Sequence, residues 1–380
     1  MRYGLTEEQD LIKQSAREFA EEYIKPKAAE IDHNATHPAE IFTKLAEYDY
    51  LGLYFPEEYG GSNAGFLSFA LIVEELAKYS GSVASILINH SAKAAYALNQ
   101  WGTEEQKETY LPALIKGEKL GAFALNEVGA ACGIGPNKVV ATKQNDDSYV
   151  LSERKAYVAN GGAADVYIIL ATTLSEGGKE NLSAFIVEAN TPGLTVGKIT
   201  KTMGLRGCRF AEIVLEQVIV PADNRLGYEG LGAKIISETL DVASIAQGAQ
   251  VVGIAQAALE ETLRYSKERV QFGKPINTFP AIQNMLAEMA ANIHLLRLGV
   301  YHAAQLVEKG DPFNLEAAIV KLNAARTGQS ALIDAIQVQG GYGYSEEMVV
   351  SRLFRDINGC ILKDSSHEFP EQKIAAEILV

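Results

Sequence analysis

Val139-Val140-Ala141-Thr142, Tyr149-Val150-Leu151, Val166-Tyr167-Ile168-Ile169-Leu170, Ala184-Phe185-Ile186-Val187 and Ile213-Val214-Leu215 follow one another along the chain, separated by Gly, Asn and Asp clusters. β-Branched and aromatic side chains suit a pleated, half-buried surface, and the turn residues punctuate the runs, so the pattern predicts short strands. No helical segment intervenes, which points to an antiparallel sandwich or barrel. On either side the texture is helical. Thr6 and Gln9 have the spacing of a capping box, and Ile12, Ala16, Phe19 and Tyr23 then recur as one amphipathic stripe. Helical stretches follow from about Leu67 to Tyr79 and about Ser82 to Trp101, with the turn-rich break Phe55-Pro56-Glu57-Glu58-Tyr59-Gly60-Gly61 before them. Beyond Pro221, Ala246–Glu268, Thr278–Glu308 and Leu315–Val338 read as long helices that would pack as a bundle. The expected order is therefore α+β: a helical domain over 1–118, a β domain over 119–222 and a helical bundle over 223–380.

Composition narrows the function classes. The chain has 380 residues, 47% hydrophobic and 22% charged, with a net charge of −14 and a pI near 5.0. That balance argues against a nucleic-acid or anionic-membrane binder, which needs a basic face. Cys132, Cys208 and Cys360 are too few and too scattered for a disulfide framework or a zinc site, so no metal is expected. The N-terminus has no apolar signal core, and no apolar run suggests membrane insertion; a cytoplasmic location is expected. Gly129-Ala130-Ala131-Cys132-Gly133-Ile134-Gly135 lacks the G-x-G-x-x-G spacing of a dinucleotide-binding turn.

Several separated motifs, covering essentially the whole chain, resemble the acyl-CoA dehydrogenase family. Glu268-Arg269-Val270-Gln271-Phe272-Gly273-Lys274-Pro275-Ile276 matches its Glu-Arg-x-x-Phe-Gly-x-x-Ile motif, and Gln337-Val338-Gln339-Gly340-Gly341 its Gln-x-x-Gly-Gly. Asn126-Glu127-Val128-Gly129-Ala130-Ala131-Cys132-Gly133 is similar to Thr-Glu-Pro-Gly-Ala-Gly-Ser-Asp, and Tyr157-Val158-Ala159-Asn160-Gly161-Gly162 to aromatic-Ile-Thr-Asn-Gly-Gly. The resemblance implies the acyl-CoA dehydrogenase fold, with its N-terminal helical, middle antiparallel β and C-terminal four-helix domains, and FAD as cofactor. By the same resemblance, Leu125, Asn126, Cys132, Tyr157, Ala159, Ser366 and Glu368 would contact the flavin. Arg269 would reach the FAD pyrophosphate of a neighbouring subunit, and Phe272, Gln337, Gly340 and Gly341 would also bind FAD; sharing the cofactor across subunits implies at least a homodimer, and in this family usually a homotetramer built as a dimer of dimers. Electrons would leave through an electron-transferring flavoprotein.

The departures carry the specific expectations. In Arg355-Asp356-Ile357-Asn358-Gly359-Cys360-Ile361-Leu362-Lys363-Asp364-Ser365-Ser366-His367-Glu368, the position of the family's catalytic Glu holds Asp364. Asp is shorter by one C–C bond, roughly 1.5 Å, and a misplacement of about 1 Å can cost on the order of 100-fold in rate. Leu240-Asp241-Val242-Ala243-Ser244 aligns with Leu-Asp-x-x-Arg, so Ser244 would leave the pocket roomier and less positive. Together these favour a branched or alicyclic acyl-CoA as substrate, with Asp364 as base and Asp241, Ser244, His90, Ser91 and Ser365 beside the substrate. His90 is also a second base candidate. Ala159 lacks the hydroxyl that relatives place at flavin N5, and Pro280 stands where a Gln usually helps bind FAD. The accumulated changes leave open an alternative, a catalytically degenerate partner subunit of a heteromeric dehydrogenase. An acyl-CoA oxidase is a third reading.

Overall fold

A computed structural model describes residues 4–127, 129, 138–174, 180–362 and 368–379. Seven α-helices come first: α1 (Glu7–Phe19), α2 (Ala28–Asn34), α3 (Ala39–Glu47), α4 (Phe66–Ala77), α5 (Gly81–Asn89), α6 (Tyr96–Trp101) and α7 (Glu104–Ile115). The capping box at the head of α1 forms: Thr6 Oγ1 accepts from the Gln9 N–H at 3.2 Å, and Gln9 Oε1 accepts from the Thr6 N–H at 3.1 Å. A second box joins Thr103 to Gln106 on α7. Gln106 does more than cap. Its Nε2 donates to the carbonyls of Asp223 and Arg225, at 2.6 and 3.0 Å, at the far end of the β domain. The expected helix over 82–101 is α5 and α6 joined by a π-turn, His90–Ala95.

The middle of the chain folds into β1 (Gly121–Ala124), β2 (Val140–Lys143), β3 (Ser148–Ala159), β4 (Val166–Leu174), β5 (Glu180–Glu188), β6 (Leu194–Ile199), β7 (Phe210–Pro221) and β8 (Arg225–Leu226). The order in the sheet is β6-β7-β3-β2-β4-β5-β8. Its long pairings are antiparallel, β3 with β7 and β4 with β5. Two short pairings are parallel, because β1 and the first residues of β2 both lie along β4, Gly121 opposite Val166 and Val140 opposite Thr172. Val166–Thr173 is buried throughout, which is why that strand reads as a continuous apolar run rather than an alternating one.

The last part is a bundle of α8 (Gly232–Glu268), α9 (Pro280–Lys309), α10 (Asn314–Gln339) and α11 (Val349–Leu362), with a two-stranded hairpin β9 (Val270–Gln271) and β10 (Lys274–Pro275) after α8 and a final helix α12 (Glu368–Ile378). Among the described residues, α8 is long and apolar enough to cross a bilayer, but its apolar window is 83% buried inside the protein. It is a core helix. Gly253 of α8 meets α4 so closely that an added Cβ would lie 2.2 Å from the Glu74 carbonyl oxygen. Glu74 itself is buried, and its carboxylate binds Lys13 at 2.9 Å, Arg297 at 3.1 Å and Tyr301 at 2.8 Å. Burial alone would raise its pKa; Lys13 and Arg297 outweigh this and hold it below the usual range. One carboxylate thus fastens α1, α4 and α9 together.

Candidate active site

A cavity of about 420 Å³ opens where the sheet meets α5, the π-turn and α11. Its β wall is built by two backbone irregularities. The chain leaves β1 through Leu125 and Asn126, and the Asn126 carbonyl accepts from the Ala156 N–H at 2.8 Å. In β3 a bulge falls between Lys155 and Val158, and Tyr157 takes a left-handed φ of 51°. A bulge re-aims side chains at a sheet rim, and here Tyr157, 60% exposed, lies along the cavity with Ala159. The turn that follows is fixed by Asn160, which is fully buried and donates from Nδ2 to the carbonyls of Ile86 and Gly121, at 3.2 and 3.1 Å.

The helical wall includes Asn358, Gly359 and Leu362 of α11, with Asn89 and Lys93 opposite. Two contacts hold α11 against the loop Thr202–Leu205. Asp356 Oδ1 accepts from the Leu205 N–H at 2.7 Å, and Arg355 Nη1 donates to the Met203 carbonyl at 3.0 Å. Full burial pushes the Asp356 carboxyl up to about 6. Gly204 is needed for this approach, since a Cβ there would come within 2.0 Å of the Arg355 carbonyl oxygen.

Leu125, Asn126, Tyr157 and Ala159 are therefore brought together, as the sequence led us to expect. Asn126 Oδ1 is buried with no hydrogen-bond partner among the described residues. Lys155, buried behind this wall, pairs with Glu127 at 2.5 Å, yet burial still lowers its ammonium to about 8. Cys132, Asp364, Ser365 and Ser366 lie outside the described residues; Glu368 begins α12.

His90 and Ser91 are not part of the cavity. The Gly121 N–H donates to His90 Nδ1 at 2.9 Å, and Nε2 donates to the Leu114 carbonyl at 3.0 Å. Full burial outweighs the Leu114 hydrogen bond, which alone would raise the imidazole pKa, so it falls to about 4 and the ring stays neutral. Ser91 Oγ donates to the Leu51 carbonyl at 2.9 Å. The residues of this segment that do reach the cavity are Asn89 and Lys93, the latter 2% exposed. A single lysine in an otherwise apolar helical run was the available signal.

Asp241 and Ser244 also stand apart from the cavity lining. Ser244 Oγ turns back on its own helix and donates to the Leu240 carbonyl at 2.7 Å. Asp241 is paired with Lys373 of α12 at 2.5 Å. Burial outweighs that cation and leaves the carboxyl raised. The expected loss of positive charge beside Asp241 is thus corrected: Lys373 supplies a cation from another helix. A second tie, Arg326 to Glu371 at 2.8 Å, joins α12 to α10.

A larger cavity, about 790 Å³, lies at the far end of the bundle and includes Arg269, Phe272, Gln339, Gly340 and Gly341. Phe272 and Gly273, at φ of 50° and 77°, form the tight turn of the β9–β10 hairpin, and Phe272 is 92% exposed. Arg269 lies 5.9 Å from the Tyr342 ring centre. Gln337 is exposed and only its carbonyl engages, accepting from the Gly340 N–H. Gln339, 2% exposed, lines the cavity, and its Oε1 and Nε2 are buried without a hydrogen-bond partner among the described residues.

Comparison with known proteins identifies the family. The acyl-CoA dehydrogenase N-terminal, middle and C-terminal domain models match residues 6–118, 122–218 and 230–361. The chain belongs to the acyl-CoA dehydrogenase family and is an oxidoreductase of that family. It is 42% identical to the acryloyl-CoA reductase (NADH) of Anaerotignum propionicum, over all of this chain and 96% of the relative. The structure of butyryl-CoA dehydrogenase from Megasphaera elsdenii superposes with a TM-score of 0.96 at 40% identity, each chain covered completely. A chain from a structure described as the electron-transferring flavoprotein of Acidaminococcus fermentans matches with a TM-score of 0.95 at 36% identity, again over both full lengths.

Proposed function

We propose that this chain is an FAD-dependent dehydrogenase of short acyl-CoA thioesters, with Asp364 removing the α proton. One observation carries the reading. The predicted flavin contacts Leu125, Asn126, Tyr157 and Ala159 line one cavity, which is also lined by Leu362, the last described residue of the helix that precedes Asp364 in sequence. The unpartnered acceptor of Asn126 fits an N–H on a flavin edge, and the unpartnered amide of Gln339 fits the polar adenosine end. When bound, FAD supplies a hydride acceptor at N5.

The chain's own groups then have separate tasks. Tyr157 presents an aromatic face to the ring, and the phenyl, leucyl and methionyl side chains of Phe123, Leu205 and Met203 exclude water from the reacting end. A carboxylate in such surroundings is raised toward a pKa useful for taking a weakly acidic proton. Arg269, Gln339, Gly340 and Gly341 hold the pyrophosphate and adenosine of the cofactor carried by a second copy, so the working form is at least a dimer, and by the family pattern a homotetramer. The electron acceptor is an electron-transferring flavoprotein and the location cytoplasmic. Relatives named for butyryl-CoA and acryloyl-CoA favour a short straight acyl group, with oxidation and enoyl reduction both within reach. The branched or alicyclic acyl group suggested by the shorter base has no such support.

The test is anaerobic mixing of the purified protein with butyryl-CoA, branched and alicyclic acyl-CoAs. Loss of the flavin band with butyryl-CoA first supports the short-chain reading. Bleaching only by the alicyclic thioester would replace it, and a colourless protein that cannot be loaded with FAD would favour the partner-subunit alternative.

A further inference from the structure

Glu127 and Lys155 form a buried ion pair, with side chains 1% and 0% exposed and 2.5 Å between Oε1 and Nζ. Glu127 sits at the cavity edge, but its oxygens are engaged. Oε1 also accepts from the Val139 N–H at 3.2 Å, and Oε2 accepts from the Lys138 N–H. Lys155 Nζ donates as well to the Leu125 carbonyl at 3.2 Å. The two residues are paired again through their backbones as an isolated antiparallel bridge. This one pair therefore touches three pieces of chain: the segment leaving β1, the approach to β2, and β3 just before the Tyr157 bulge.

Burying two charges is costly unless further hydrogen bonds satisfy them, and an apolar pair of similar volume would often serve stability as well. What an apolar pair would not do is fix the height of Leu125 and Asn126 against Tyr157 and Ala159. We propose that Glu127 and Lys155 are positioning residues for the flavin-facing wall: they set where the Asn126 acceptor stands relative to the Tyr157 ring, and through that the affinity and electronic state of the bound flavin. This rests on the FAD reading above. A charged pair without reach to substrate has no part in proton transfer, so its effect belongs to the cofactor.

The experiment compares FAD dissociation, the visible flavin spectrum and the flavin reduction potential in wild type, Glu127→Gln, Lys155→Met and Lys155→Arg, with thermal unfolding in parallel. Glu127→Gln and Lys155→Met should each weaken FAD binding on the order of tenfold, shift the flavin band and change the potential. Lys155→Arg, which keeps the charge, should recover most of the affinity. If Glu127→Gln does not fold, Lys155→Arg carries the same readouts by a partial shift. Variants that melt earlier yet keep wild-type FAD affinity, spectrum and potential would overturn the proposal and leave the pair a stabilising element only. A wild type that binds no FAD would overturn the flavoprotein reading, and this inference with it.

Discussion

Acid should weaken this protein through His90 in a way a single substitution can isolate. Full burial keeps the imidazole neutral in the fold, with Nδ1 accepting from the Gly121 N–H; its pKa is about 4, against 6.5 for a free side chain. At neutral pH neither the folded nor the unfolded chain holds a proton there. As the pH falls below 6.5 the unfolded chain binds one first, so folding stability drops through this window and levels off below about 4. The full effect is about 3 kcal/mol, and about 2 kcal/mol is already lost near pH 5. Urea denaturation at about pH 7.5 and about pH 5 would measure it in wild type and in His90→Gln. Gln cannot titrate, so its loss between the two conditions should be smaller by about 2 kcal/mol. Asp356 works in the opposite sense. Its raised carboxyl, about 6, favours the fold in its protonated form and loses that contribution as pH rises through 6. It is present in both proteins and cancels in the comparison. Equal losses in the two would refute the neutral, hydrogen-bonded His90. FAD release should follow the same curve, because Gly121 begins the strand that leads to Leu125 and Asn126.

Three further outcomes are expected. Asp364→Asn should slow flavin reduction by butyryl-CoA by roughly 10²- to 10⁴-fold, measured by stopped-flow, while Asp364→Glu should speed it if the shorter side chain is what holds the carboxylate away from a straight acyl chain. Ala159→Thr places a hydroxyl on the cavity wall and should change the flavin potential with little change in unfolding midpoint, read by anaerobic titration. Lys373→Met leaves Asp241 buried without its cation and should cost about 3 kcal/mol of stability; adding Asp241→Asn should restore most of it, as a double-mutant comparison by urea denaturation would show.

The long elements were legible because each has one dominant signal. The capping box at Thr6, the Ala-rich run of α8 and the β-branched run of β4 state their structure without help from tertiary contacts. β1 was missed because Gly121-Ala122-Phe123-Ala124 is four residues long and only Phe123 among them favours a strand; it forms one because β4 offers it a partner. α8 begins at Gly232 rather than near Ala246, since the turn at its head lies against the sheet, where an added Cβ on Gly232 would come within 2.6 Å of the Leu182 carbonyl oxygen. Site residues fared according to whether one face of an element could be singled out. Tyr157 and Ala159 sit in a strand and were placed. His90 and Lys93 belong to a segment buried on all sides, where no polar stripe marks the solvent face, so the wrong residues were assigned to the cavity. Gln337 and Gln339 differ only in which way the end of α10 turns them. Lys373 could not have been matched to Asp241 from sequence, because nothing in either segment records that α12 returns to α8.

The hydrogen bonds that cross between the N-terminal helices and the β domain bear on how such a chain can be taken apart. Gln106, which caps α7, also holds Asp223 and Arg225, while Asn160 in the β domain holds Ile86 and Gly121. Each makes a buried amide of one segment the partner of another segment's backbone, so cutting the chain between them strands polar groups on both sides. The β domain expressed alone would expose those amides together with the apolar faces that α5 and α8 cover. The three segments should therefore melt as one cooperative unit, and exchanging the middle segment for that of a relative should succeed only where the amides at 106 and 160 travel with their acceptors.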